Sequence, residues 1–169
     1  TQISPDDPGT AINIRGLQDF GRVNVMVDGA RQNFQRSGHS ANGSVYFDPE
    51  MISAVDVTRG PNATAYGSGA IAGVVNFSTI GIDDVLMPGQ IVGGLMRARY
   101  QTNGPGPLGH LEAAVRPTDA FGMLAAFTAY DYDNYSTGGT ASPPGASATT
   151  IPNTAQTLNS GLFKIETKP

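Results

Sequence analysis

Residues 56–79 read DVTRGPNATAYGSGAIAGVVNFST, two β-rich segments on either side of the small-residue run GSGAIAG. A dinucleotide-binding turn needs G-x-G-x-x-G between a strand and a helix, so that the helix N-terminus faces the pyrophosphate. Here Gly67, Gly69 and Gly73 are spaced G-x-G-x-x-x-G, and Val74, Val75 and Phe77 come next. Adjacent valines before Asn-Phe-Ser-Thr favour a strand over a helix. No Gly-Lys-Ser/Thr is present after the run, so a phosphate loop is excluded. The glycines therefore serve geometry: positive φ angles and close approach of backbones.

Outward from that run, composition narrows the classes. The chain has 169 residues, with 22 glycines and 12 prolines, which fits turn-rich β structure or partial disorder, and periodicity has to separate the two. A net charge of −4 with two lysines argues against a nucleic-acid surface, which needs clustered cations. With no cysteine, disulfide frameworks, thiolate metal sites and cysteine nucleophiles are excluded. No run approaches the ~20 apolar residues of a membrane helix. Neither an activated nucleophile nor a metal cluster can be read, so catalysis is not expected. The opening TQISPDDPG carries no signal peptide and reads as the middle of a longer chain.

The pattern changes near residue 80. Before it, short β segments alternate with polar turns: AINIRG (11–16), RVNVMVDG (22–29), MISAVDVTRG (51–60) and GVVNFST (73–79). Val23, Val25 and Val27 alternate with Asn24, Met26 and Asp28, a period of two. DPEMIS (48–53) suits one helical turn, with Asp48 as N-cap and Pro49 at the first helical position. Together these pieces predict a small mixed α+β unit. Asp83-Asp84 reads as a turn in a linker.

After that come longer alternating runs. Met96, Ala98 and Tyr100 oppose Arg97 and Arg99; Leu111, Ala113 and Val115 oppose His110, Glu112 and Arg116; Phe163, Ile165 and Thr167 oppose Lys164, Glu166 and Lys168. GMLAAFTAYDYDNY is less regular, with Tyr130, Tyr132 and Tyr135 at its far end. Each run has about the ~10 residues of an outer-membrane barrel strand. The connections alternate too: PTDAF is short, whereas NYSTGGTASPPGASATTIPNTAQ is long and polar. Barrels pair short periplasmic turns with long external loops, which would put the three tyrosines in an interfacial aromatic girdle. A soluble antiparallel sheet with one wet face produces the same alternation.

Taken in order, NIRGL (13–17), VNVMVDGAR (23–31), DPEMISAVDVTRGP (48–61) and YGSGAIAGVVNFST (66–79) resemble the plug of TonB-dependent outer-membrane receptors. The resemblance implies an α+β chain: a small mixed-sheet plug domain, then antiparallel β-strands of an incomplete transmembrane β-barrel of the roughly 22-stranded kind. It divides the chain into an N-terminally truncated plug (1–80), a linker (81–90) and the first barrel strands (91–169). Four strands alone cannot span a bilayer, because their edges would carry unpaired backbone groups in lipid. The chain is therefore expected to be a fragment that lacks the TonB-contacting segment.

The wording of residues 21–44 looks most like the branch that takes up heme or heme-protein iron. That likeness implies heme as a transported ligand, with no permanently bound cofactor. It also implies TonB, a hemophore or hemoglobin, and outer-membrane lipid of a Gram-negative cell as partners. His39, in Gly-His-Ser-Ala-Asn-Gly, becomes the candidate ligand to heme iron, since a glycine-flanked loop presents an imidazole without crowding. Arg31 and Arg36 are candidates to face heme propionates. Arg15 and Arg59 match plug arginines that pair with carboxylates of the barrel wall, as a buried guanidinium requires. His110, beside Glu112, is expected to have a structural place facing the lumen. A ferric-siderophore receptor using Phe34 and Tyr46, or a soluble β-rich binding module, are the alternatives.

Overall fold

A computed structural model describes residues 2–4, 7–18, 21–32, 44–61, 67–137 and 150–168. The chain divides into two compact units, Thr1–Ile80 and Gly81–Pro169.

Among its described residues the first unit contains two sheets. Strands β1 (Gln2–Ser4), β2 (Asp7–Ala11) and β5 (Ser44–Val45) form an antiparallel sheet in the order β1-β2-β5. Strands β3 (Val23–Val27), β4 (Ala30–Arg31), β6 (Ile52–Arg59) and β7 (Gly73–Thr79) form another, ordered β4-β3-β7-β6. It is mixed: β3 and β7 run parallel, from Val23↔Gly73 to Val27↔Phe77, while both outer pairs are antiparallel. The two central strands bury most of their valines, whereas Val55 and Val57 of the outer strand β6 are exposed. Val23, Val25, Val75 and Phe77 join Ile14, Val45 and Ala72 in the core of this unit.

Asp28-Gly29 joins β3 to β4 as a two-residue hairpin turn with both φ positive (48° and 77°), the type I′ geometry that Asp-Gly favours. The Asp28 carboxylate then ties the turn to the end of β7, accepting from the Thr79 amide at 2.8 Å and its hydroxyl at 2.6 Å. Pro49–Met51 forms one 3-10 turn, and Asp48 Oδ1 accepts the Glu50 amide at 3.0 Å. AINIRG differs from its reading as one strand. Ala11 ends β2, and residues 14–17 form a tight turn instead.

The second unit is one antiparallel sheet, β11-β10-β9-β8. Its strands β8 (Val92–Gln101), β9 (Gly106–Thr118), β10 (Phe121–Tyr132) and β11 (Gln156–Thr167) have 10, 13, 12 and 12 residues. A helical turn, α1 (Ile82–Val85), packs on their ends where the sequence suggested only a linker turn. The reason is Ile82, fully buried over Gly122, where a Cβ would come within 2.6 Å of the Ile82 side chain. Arg116 completes the attachment: Nη1 donates to Asp83, and Nη2 lies 3.4 Å from Glu166 Oε2.

Candidate functional site

The glycine run of the first unit is a backbone return. Gly73 faces Arg59 across β6–β7 with φ 150°, and a Cβ there would overlap the Thr58 carbonyl and press within 3.1 Å of Ile14 Cδ1. Gly67 and Gly69 take φ of 78° and 95°, also left-handed. The Gly60 amide donates to the Ala72 carbonyl and the Ala72 amide to the Arg22 carbonyl, each at 2.8 Å. The chain therefore leaves β6 and re-enters as β7 between β6 and β3. No residue but glycine fits at position 73, and the run leads into a strand.

The predicted site arginines lie on separate elements. Ile14 and Leu17 exchange backbone hydrogen bonds of 2.9 and 3.0 Å, closing a turn with Arg15 (φ 53°) and Gly16 (φ 85°) both left-handed. Asn13 Oδ1 accepts the Gly16 amide at 2.9 Å and so fixes that turn, whose tip exposes Arg15. Arg59 ends β6 and is exposed as well. Arg31 sits on β4 opposite Met26, half-buried. His39, Arg36 and Phe34 lie outside the described residues. Tyr46, just after β5, is exposed.

The second unit exposes an apolar face and buries a mixed one, on which polar side chains lie among Leu108, Ala114, Leu124 and Ala126. Register puts Met96, Leu111, Phe127 and Gly161 in one cross-strand row, with Gly94, Ala113, Ala125 and Phe163 in the next and Val92, Val115, Met123 and Ile165 beyond it. Met96 (78%), Leu111 (53%), Phe127 (51%) and Phe163 (63%) are all exposed on this face. The opposite face carries Arg97, His110, Thr128 and Ser160 in one row, and there His110 (2%), Glu112 (4%) and Thr128 (0%) are buried. A soluble sheet turns its apolar face inward. A lipid-facing barrel wall does the reverse.

His110 is held at both ring nitrogens, Nε2 by Glu112 Oε1 and Nδ1 by Thr128 Oγ1, each at 2.8 Å. Neither nitrogen is open to a ligand. Arg97 Nη2, 3.6 Å from the same Glu112 oxygen, supplies the cation that a buried carboxylate needs. Neither Thr128 nor Arg97 was visible as a partner from sequence, because cross-strand register decides both.

The tyrosines correct one expectation. Tyr130 and Tyr132 share parity with Thr128 and so lie on the polar face, not in an aromatic girdle on the apolar one. Tyr100, on the apolar face of β8 and 66% exposed, occupies the girdle position at that end of the sheet. Its parity with Met96 and Ala98 was the signal.

The family model of the TonB-dependent receptor plug domain matches residues 2–74. A TonB-dependent heme receptor A of Haemophilus ducreyi is 36% identical over 95 residues, 56% of this chain and 12% of that one. A hemin receptor of Yersinia enterocolitica is 40% identical over 82 residues, 48% of this chain and 11% of that one. The solved structure of a double mutant of the Serratia marcescens hemophore receptor HasR, in complex with its hemophore HasA and heme, superposes with a TM-score of 0.85. The likeness covers 96% of this chain and 24% of that one at 34% identity. This chain thus spans about an eighth of the curated relatives it matches.

Proposed function

We propose that this chain, whose residues 2–74 match the plug-domain model of the TonB-dependent receptors and whose fold matches a solved hemophore receptor, is part of such a receptor and serves energy-coupled uptake of heme or heme-protein iron across an outer membrane. The observation that carries this reading is the likeness, at 34% identity over 96% of the chain, to a receptor solved with its hemophore and heme. The relatives from Haemophilus and Yersinia, described as heme and hemin receptors, support the same ligand class. The family consists of transport receptors, which fits a binding and transport role rather than a catalytic one.

Each part of the chain then has a physical task. The apolar face of the second unit meets lipid, and its polar face lines the lumen. The first unit is the plug, stiffened by its mixed sheet and by the Asp28 and Gly73 turns. Arg15 and Arg59, both at exposed turn or strand ends, present guanidinium groups to carboxylates of the barrel wall. His39 supplies an imidazole to heme iron, and Arg31 and Arg36 offer cations to the propionates. Heme is cargo in this scheme, delivered by a hemophore or hemoglobin and released inward when TonB acts on the plug.

The test is a hemin titration of the complete receptor, read at the Soret band. The wild type should show a histidine-ligated spectrum. His39→Ala should shift that band and weaken binding, because one iron bond is lost while the porphyrin's apolar contacts remain. An unchanged spectrum and affinity would remove His39 from the site. A receptor indifferent to hemin that binds a ferric siderophore would replace the reading itself.

A further inference from the structure

The polar face of the second unit carries a feature that the iron-ligand reading does not use. Tyr130 and Tyr132 alternate along β10 on the same side of the sheet, their ring centroids 4.6 Å apart and their planes only 15° from parallel. Arg99 Nη2, on β8, lies 3.3 Å from the Tyr132 hydroxyl and donates to it. Leu108 of β9 lies between Arg99 and Tyr130 in the cross-strand row and is buried at 5%. Arg99 is exposed and both tyrosines are half-buried. All three sit at the end of the sheet next to the long β10–β11 connection, the external end of a barrel.

We propose that Arg99, Tyr130 and Tyr132 form a contact on the external wall of the lumen for a planar, conjugated, anionic ligand. Stacked aromatic rings prefer another flat π-system laid offset against them, and a guanidinium fixed at the phenol end recognises a carboxylate or phenolate oxygen. Lipid would reward neither group on this face, since the apolar face is the other one. A porphyrin with its propionates has this chemistry as a whole, and each flat catechol ring of an octahedral ferric tris-catecholate offers it locally. The contact rests on the uptake reading above but involves no iron bond, so it can fail or stand separately from His39.

The experiment uses the complete receptor with hemin and, separately, with the ferric tris-catechol complex. Arg99→Gln and Tyr132→Leu should each weaken hemin binding roughly 5- to 20-fold. The Soret position should stay in place, because iron ligation is untouched. Tyr132→Phe, which keeps the ring but releases Arg99 from the hydroxyl, should weaken hemin binding less than Tyr132→Leu does. Arg99 is exposed, so Arg99→Gln tests the cationic half even if an aromatic variant fails to assemble. Hemin binding that is wild-type in Arg99→Gln and Tyr132→Leu overturns the contact and leaves the uptake reading intact. If the wild type ignores hemin but binds the catecholate, weakening by the same variants sustains the contact and unchanged binding overturns it. Binding of neither probe overturns both.

Discussion

Replacing Phe127 with arginine distinguishes a lipid-facing wall from a wet sheet. Phe127 is half-exposed, paired with Leu111 and Gly161, and points away from the buried His110–Thr128 row. On its face β10 is apolar from Phe121 to Ala129, and Asp131 comes next, accepting from the Thr157 hydroxyl at 2.8 Å. Phe121 to Asp131 is ten residue steps, about 33 Å at ~3.3 Å per residue. A tilt of roughly 40–45° projects that to about 24 Å, close to the ~25 Å apolar band of outer-membrane barrels. The midpoint falls between Ala125 and Phe127. An arginine there should cost about 2–4 kcal/mol, whereas one at Thr157, at the rim, should cost about 0–1. The assay is denaturant unfolding of the complete receptor in lipid vesicles, comparing Phe127→Arg with Thr157→Arg. A gap of about 3 kcal/mol is roughly two decades in the folding equilibrium. In a soluble sheet both positions are surface, and both changes should stay within about 0.5 kcal/mol. Equal costs at the two depths would refute the wall.

Two further changes test the parts that stiffen each unit. Gly73→Ala places a Cβ onto the Thr58 carbonyl at a left-handed φ and should destabilise the plug by about 2–4 kcal/mol. Limited proteolysis of the complete receptor should then cut the first unit faster, and unchanged digestion would reject the geometric reading of the glycine run. The hydrogen bond from Arg116 is the main cause that holds the Asp83 carboxyl below its usual range; slight burial opposes it, and the charges of Arg116 and Lys168 reinforce it. A lowered folded-state value means that the attachment of α1 is present at neutral pH and lost as pH falls through that value, below the usual carboxylate range. Asp83→Asn should therefore loosen the 81–90 segment at pH 7, seen as faster amide exchange, and match the wild type in acid; a difference that persists in acid would count against the pairing.

Much of this fold is written in local pattern, where short-range physics decides. Val23, Val25 and Val27 announce a strand, Asp28-Gly29 its turn, and Asp48-Pro49 a capped helical turn, because each depends on neighbours within a few residues. The long alternating runs were legible for the same reason, though they read as about ten residues each where the strands have 10 to 13. What alternation cannot supply is the side that is buried. Leu111 and His110 alternate identically in a soluble sheet and in a barrel wall, and only their opposite exposures, 53% and 2%, choose between them. Register was equally hidden: Thr128 meets His110, and Tyr132 meets Arg99, across strands whose alignment no single segment encodes. The girdle assignment failed at that point, because aromatic identity drew attention to Tyr130 and Tyr132 while parity had already put Tyr100 on the apolar side. In an alternating strand, parity has to be read before residue type, since a shift of one residue moves a tyrosine from the membrane interface to the lumen.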